Sequence, residues 1–173
     1  MYARGESRQR AMLTALARLT PDVPEARAIA KELNGANADA LYAEGLEALK
    51  RGDAAAAVAP LREALELDPK LFRAHVQLGD ALLALDKPRS AAESYRRAIE
   101  LEPKIVDARI ALAEALLKSQ QTAVAESTLR EGLAISPTSP ELNLTLGILL
   151  RATGQAAEAK PFLDRASRLG LRP

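Results

Sequence analysis

Apolar residues return to the same places along residues 38–173 once every 34 residues. Four consecutive blocks share the pattern, namely 38–71, 72–105, 106–139 and 140–173. A block of this length fits a pair of helices, and such a pair buries its apolar face only when neighbouring copies stack on it. The pattern therefore predicts an all-α fold in which helix pairs stack and leave a groove along one side.

Small and bulky residues hold fixed positions within the block. Small side chains at three positions allow two antiparallel helices to approach closely. They are Gly45, Gly79, Ala113 and Gly147 at the eighth position, Ala57, Ala91, Ala125 and Ala159 at the twentieth, and Ala64, Ala98, Gly132 and Ala166 at the twenty-seventh. Bulky residues recur at the twenty-fourth position, as Leu61, Tyr95, Leu129 and Leu163.

A proline completes the pattern at the thirty-second position of the first three blocks, as Pro69, Pro103 and Pro137. Together these positions resemble the signature of the tetratricopeptide repeat (TPR) family. The resemblance covers residues 38–173 and implies a right-handed superhelical solenoid of antiparallel helix pairs. The aromatic residue that the family usually places at the fourth position is replaced, which predicts looser contacts there. The residues found instead are Leu41, His75, Arg109 and Asn143.

Turn and cap residues predict where the helices begin and end. Gly52-Asp53 and Gly154-Gln155 are expected to separate the two helices of the first and last pairs. Asp86-Lys87-Pro88 and Ser139-Pro140-Glu141 each offer an N-cap followed by a proline in the first helical turn.

The first 37 residues match the block pattern poorly. Residues 7–19 predict an amphipathic helix, Thr20-Pro21-Asp22 ends it, and a second helical stretch covers 24–33. We interpret residues 1–37 as a degenerate repeat that caps the N-terminal end of the stack. The alternative is a mobile helix that docks elsewhere, including into the groove of its own or a neighbouring chain.

Composition narrows the function classes. Lys and Arg total 24 against 23 Asp and Glu, and only 3% of residues are aromatic, which argues against a nucleic-acid partner. No apolar run approaches the roughly 20 residues needed to span a bilayer, and the N-terminus lacks a signal peptide's apolar stretch, so no direct membrane insertion and a cytoplasmic location are expected. The absence of Cys excludes disulfides, thiolate catalysis and Cys-zinc sites.

Residues with catalytic potential are scattered. His75 is the only histidine, and it stands at a packing position of the block. The carboxylates lie mainly on second helices beside Lys and Arg, as solvated faces require. No glycine cluster forms a phosphate-binding loop. We therefore predict a non-enzyme with no catalytic residue, no cofactor and no metal.

The resemblance implies a concave groove lined mostly by first-helix positions two, five, six, nine, twelve and thirteen. Position five carries an apolar row, and position nine mixes apolar with acidic residues. The predicted partner-binding residues are Tyr42, Leu46, Val76, Asp80, Ile110, Glu114, Leu144 and Ile148. This pattern favours an amphipathic helix or extended segment that carries some Lys or Arg. The alternative is that these side chains are partly buried against neighbouring helices.

One TPR subclass binds acidic carboxyl-terminal tails of chaperones through a clamp of Lys, Asn, Asn, Lys and Arg. Read from the first block, the corresponding places of this chain hold Tyr42, Leu46, Gln77, Asp107 and Ile110. The other frames supply at most two Arg. Binding of chaperone tails is therefore not expected.

Two functions fit these features. The leading hypothesis is an adaptor whose groove holds a peptide or helix of a partner protein. The other is self-assembly, since block four ends at Pro173 and its helix 156–169 would leave Phe162, Leu163 and Leu169 partly uncovered. A homo-oligomer would follow from the second hypothesis.

Overall fold

The described part of the chain is entirely helical. The computed structural model describes Ala15 and residues 24–171, with side chains from residue 32 onward in the second range. This range contains eight α-helices and no strand, which confirms the predicted all-α class. They are α1 (Pro24–Lys50), α2 (Ala54–Leu67), α3 (Phe72–Ala84), α4 (Pro88–Leu101), α5 (Val106–Lys118), α6 (Thr122–Ile135), α7 (Pro140–Ala152) and α8 (Ala156–Arg168).

The chain divides into two compact units, Met1–Ala74 and His75–Pro173. In the first unit α1 packs against α2. In the second unit each helix from α4 to α7 packs against the next one along the chain. Helices α5 and α7, which open consecutive blocks, also contact each other. The second unit is therefore a stack of helix pairs, as the period predicts.

Helix α1 is longer than the first helix of any other block. It covers 27 residues and crosses the boundary between residues 37 and 38 without a break. The helical stretch predicted at 24–33 forms its first turns. The helix predicted at 7–19 lies outside the described residues, so its role as a cap or a docking segment stays a prediction.

The turn inside each helix pair has the same backbone geometry in all four blocks. Its fifteenth-position residue has a positive φ, at Gly52 (79°), Asp86 (54°), Gln120 (61°) and Gly154 (83°). At Asp86 the next amide closes the helix, since Lys87 N donates to Leu82 O over 2.9 Å. The N-cap of α4 is Lys87, without a side-chain bond, so the expectation that an acidic side chain caps this helix is wrong. Asp86 instead adopts the left-handed conformation that ends α3.

The other predicted breaks and caps are confirmed. Residues 51–53 and 153–155 separate the helices of the first and last pairs. Asp53 Oδ1 accepts a hydrogen bond from Ala56 N over 2.9 Å, and Ser139 Oγ accepts one from Leu142 N over 3.2 Å. Pro140 follows Ser139 as the first residue of α7, where its missing N–H costs nothing.

Close approach of the two helices in a pair depends on the eighth position. A Cβ added to Gly79 would lie 2.5 Å from Cε1 of Tyr95, which is fully buried. In the same way, a Cβ added to Gly45 would lie 2.5 Å from Leu61 Cγ, and one added to Gly147 would lie 2.6 Å from Leu163 Cδ2. In these three blocks the bulky residue at position twenty-four therefore packs directly against the backbone of the glycine at position eight.

The fourth position bonds to the preceding turn instead of packing an aromatic ring. Asn143 is fully buried, and its Nδ2 donates to Pro137 O over 3.2 Å and to Ser139 O over 2.7 Å. One block earlier, the buried Arg109 donates from Nη1 to the carbonyls of Pro103 and Ile105, which hold the same two repeat positions. Polar residues at this position thus fasten consecutive blocks by hydrogen bonds.

Candidate partner-binding groove

The eight predicted groove residues divide between the two units. Tyr42 and Leu46 lie on α1 in the first unit, and both are partly buried. The other six lie on the first helices of the blocks in the second unit. They are Val76 and Asp80 on α3, Ile110 and Glu114 on α5, and Leu144 and Ile148 on α7.

The apolar row at position five is neither fully packed nor fully exposed. Val76, Ile110 and Leu144 are partly buried, so each uses part of its surface in the helix stack. Ile148, one turn after Leu144, is 42% exposed. The two sequence-based interpretations, a packed row and a free apolar floor, thus each describe part of the surface.

A pocket between α3 and α5 brings Asp80 and Glu114 together. Its volume is ≈ 310 Å³. Asp80, Leu83, Ala84, Tyr95, Ala111, Glu114 and Lys118 line it. Position nine of two successive blocks therefore lines one pocket. Its two carboxylates give the middle of this surface an acidic character.

Asp80 also has a structural partner. Its Oδ1 accepts a hydrogen bond from Tyr95 Oη over 2.7 Å, and its Oδ2 accepts one from Gln77 Nε2 over 3.1 Å. Burial raises the pKa of Asp80, the Tyr95 bond opposes this rise, and the charges of Asp107 and Glu114 add to it. The pKa of Tyr95 is raised by burial and by its bond to Asp80. Asp80 therefore satisfies a buried hydroxyl while keeping an unfavourable charge at the pocket.

The Asp80→Asn variant is expected to be as stable as the parent protein or more stable at pH 7, by up to about 1 kcal/mol after solvent screening. A carboxyl whose folded pKa is raised favours folding more as pH falls from the raised folded value toward the unfolded value of about 3.9. The variant's advantage should therefore shrink in that window. Urea unfolding from pH 7 to pH 4 measures it.

The matched control for this pH effect is Tyr95→Phe. Removing the hydroxyl removes the bond that lowers the pKa of Asp80, so the pH dependence of stability should become steeper than in the parent. An Asp80→Asn difference that stays constant across the whole pH range would contradict the assignment.

Glu114 is the more available of the two carboxylates. It is exposed, and its Oε1 lies 3.7 Å from Lys118 Nζ in a pair whose side chains are 57% and 47% exposed. An exposed pair of this kind contributes little to stability. The Glu114 carboxylate is therefore accessible at the surface and only weakly held by Lys118.

Sequence reasoning missed three side chains on this surface. Tyr95 lines the pocket from a second helix, and Lys118 lines it from position thirteen. Leu117, at position twelve, is 37% exposed and holds in its block the place of the pocket residue Leu83. Positions twelve and thirteen belong to the lining that the repeat resemblance implies, so Leu117 and Lys118 were open to prediction. Tyr95 was not, because its hydroxyl reaches the groove past Gly79.

The described residues lack two kinds of feature. Within residues 15 and 24–171, no group of three or more His, Cys, Asp or Glu is arranged to hold a metal ion. Over the same part of the chain, no helix has the length and apolar character required to cross a membrane.

Family models agree with the repeats seen in the structure. Three models, each described as a tetratricopeptide repeat, match residues 38–71, 76–140 and 116–170. Together they cover residues 38–71 and 76–170, which is most of the chain. No curated protein sequence matches it.

Three solved structures with the same fold illustrate the similarity. A crystal structure of MamA has a TM-score of 0.72 and 21% identity, over 90% of this chain and 93% of MamA. TTC0263, a thermophilic TPR protein in Thermus thermophilus, has a TM-score of 0.63 and 20% identity, over 77% and 74% of the two chains. The first TPR of Spaghetti (RPAP3), bound to the HSP90 peptide SRMEEVD, has a TM-score of 0.63 and 19% identity, over 69% and 98%.

Identities this low establish the fold alone. The repeat period, the small-to-bulky packing within helix pairs and the three family models agree with one another. The chain belongs to the tetratricopeptide repeat family.

Proposed function

We propose that this protein is a non-enzymatic adaptor that holds an apolar, partly basic segment of a partner protein on the first-helix face of its second unit. The observation that carries the proposal is the surface formed by α3, α5 and α7. Apolar side chains on these helices keep part of their area exposed, and a pocket between α3 and α5 contains two carboxylates. Tyr42 and Leu46 are proposed as the corresponding contacts of the first unit.

The expected affinity follows from the area left uncovered. Full burial of an apolar side chain contributes about 1.5–3 kcal/mol, so covering the remaining half of one contributes about 1 kcal/mol. Val76, Ile110, Leu117, Leu144 and Ile148 would together contribute about 5 kcal/mol by that measure. Association costs about 4–15 kcal/mol, so hydrogen bonds and charge contacts must add to the apolar term. We expect micromolar dissociation constants.

The charge of the surface selects the partner. Asp80, Asp107, Glu114 and Glu141 stand at positions two and nine of the first helices. An acidic surface repels an acidic tail and attracts Lys and Arg. Spaghetti (RPAP3) offers a precedent for a peptide bound by this fold. This chain lacks the clamp residues that bind acidic tails in that subclass, so we do not expect it to bind an acidic tail.

The test compares glutamate substitutions on and off the groove. Ile110→Glu and Ile148→Glu place a charge on the proposed surface, and Val124→Glu places one at a 43% exposed position on the second helix α6. Partners captured by the parent from native lysate should then be measured one by one against the three folded variants. We expect the groove variants to bind at least about ten-fold more weakly, which is about 1.4 kcal/mol.

Val124→Glu should bind as the parent does, which separates a local effect from a general effect of added charge. Ile148 is the more exposed of the two groove positions, so its variant is informative even if Ile110→Glu unfolds. Partners that bind all three variants as tightly as the parent would exclude this surface as the site.

Self-association is a second candidate, favoured by the surface of α8. That helix buries only Ala159 and Ala166, while Phe162 and Leu163 are partly exposed and Leu169 is 42% exposed. Sedimentation equilibrium over a concentration series should show a mass that rises with concentration and falls to the monomer value in a Leu169→Glu variant. A monomer at every concentration would exclude this candidate.

A further inference from the structure

A second pocket adjoins the acidic one and carries the opposite charge. Its volume is ≈ 500 Å³, and it lies where the turns that follow α3 and α5 meet the start of α4. Lys87, Pro88, Arg89, Ser90, Lys118, Ser119 and Gln120 line it. Among the described residues that line it, three are cationic and none is a carboxylate.

Two of these cations have no counter-ion. Within the described residues, Lys87 and Arg89 form no ion pair, and both are exposed. Lys87 is the N-cap of α4, but its side chain makes no capping bond there. Their charge therefore has no evident part in holding the fold together.

Both pockets include Lys118, the last residue of α5, so the acidic pocket lies along the helices and the basic pocket lies at their C-terminal ends. Glu114 lies one turn before Lys118, and Asp80 lies seven residues before Lys87. At 1.5 Å per residue along α5, Glu114 and Lys118 are roughly 6 Å apart. Charge on this surface thus changes from acidic near Asp80 and Glu114 to basic at the pocket that Lys87, Arg89 and Lys118 line.

We propose that this charge order sets the orientation of the bound partner: a protein segment places a Lys or Arg over Asp80 and Glu114 and an Asp or Glu over Lys87, Arg89 and Lys118. This inference rests on the proposed function, since it names the chemistry of the segment held on that surface. In an extended segment of about 3.3 Å per residue, the two charges stand about two residues apart. A segment bound the other way round would oppose like charges at both pockets.

The test starts from peptides chosen by the protein itself. A phage-displayed library of short random peptides is selected on the intact parent chain, and binders are kept if Ile110→Glu or Ile148→Glu abolishes their binding. Each kept peptide is synthesised together with an isomer in which its basic and acidic residues are exchanged. We expect the selected order to bind about ten-fold more tightly than the exchanged one.

Paired substitutions assign each peptide charge to its pocket. Replacing the peptide's acidic residue by Gln should weaken binding to the parent about five- to ten-fold but leave binding to a Lys87→Gln/Arg89→Gln variant unchanged. Replacing its basic residue should weaken binding less in a Glu114→Gln variant than in the parent, since that variant removes one of the two pocket carboxylates and spares Asp80 and its bond to Tyr95. Lys104→Gln/Arg165→Gln removes two exposed cations outside both pockets and is the matched control.

The outcomes separate this inference from the proposed function. Groove-dependent peptides that bind equally well with their charges exchanged would overturn the charge order and leave the adaptor function standing. Coupling of the acidic residue to the control pair, or to neither pair, would also overturn it. A library that yields no groove-dependent binder would overturn both proposals.

Discussion

Replacing Tyr95 by Ala is expected to lower the free energy of unfolding by about 3–5 kcal/mol, the usual cost of deleting a fully buried aromatic ring. Tyr95 has 0% exposure and fills the space above Gly79, whose added Cβ would lie 2.5 Å from the ring. Because the α3 backbone and the ring touch directly, removing the ring leaves a cavity that the two helices cannot close by small shifts. Urea unfolding followed by circular dichroism measures the loss.

Tyr95→Phe is the control for that measurement. It keeps the ring and removes only the hydroxyl that donates to Asp80 over 2.7 Å, so we expect a loss of about 1 kcal/mol. A similar loss for both variants would show that the hydrogen bond, and not the packing of the ring, stabilises this helix pair.

Block three fills the same two positions with a different pair of residues. It carries Ala113 at position eight opposite Leu129 at position twenty-four, and both are fully buried. Gly79→Ala alone should therefore destabilise the protein, while Gly79→Ala combined with Tyr95→Leu should recover part of the loss. The pairing between positions eight and twenty-four could be predicted from the sequence, since the period repeats it in every block.

Backbone conformation was harder to predict from the same sequence. Asp86-Lys87-Pro88 has the residue types of an N-cap, but Asp86 adopts a φ of 54° and ends the preceding helix. Gln120 does the same at 61° without any turn-forming signal of its own. A left-handed residue of this kind costs about 1–2 kcal/mol locally, and the closing hydrogen bonds of the turn offset it. Only comparison with Gly52 and Gly154 at the same repeat position hints at the conformation.

The candidate site shows the same division. The repeat resemblance assigned Asp80 and Glu114 to position nine of the groove lining in successive blocks, and in the structure both line one pocket. The bond from Tyr95 to Asp80 and the basic pocket at the turns depend on how far side chains reach between helices. Residue type and spacing do not predict how far a side chain extends from one helix to the next. Only block two combines a tyrosine at position twenty-four with an acid at position nine, so the period offers no second example to learn from.

Replacing Asn143 by Asp is expected to cost about 3 kcal/mol or more at pH 7, because it buries a charge without a donor. Asn143 Nδ2 supplies the hydrogens for Pro137 O and Ser139 O, and its own Oδ1 has no hydrogen-bond partner. A carboxylate at this place would set the oxygen that replaces Nδ2 against those two carbonyls and leave the other oxygen without a donor. Chemical denaturation at pH 7 measures the cost.

The pH dependence of that cost identifies its origin. Burial without donors raises the folded pKa of the new carboxyl above its unfolded value of about 3.9, so the loss is largest at pH values above the folded pKa. It should shrink as pH falls through the interval between the two values, since a protonated carboxyl donates to one of the two carbonyls. Asn143→Leu, which installs the residue that block one carries as Leu41, should lose less than the Asp variant at pH 7 and show no such recovery. A loss of equal size for Asp and Leu at every pH would mean that the fourth position holds the blocks together by shape, and that the bonds to the turn carbonyls add nothing.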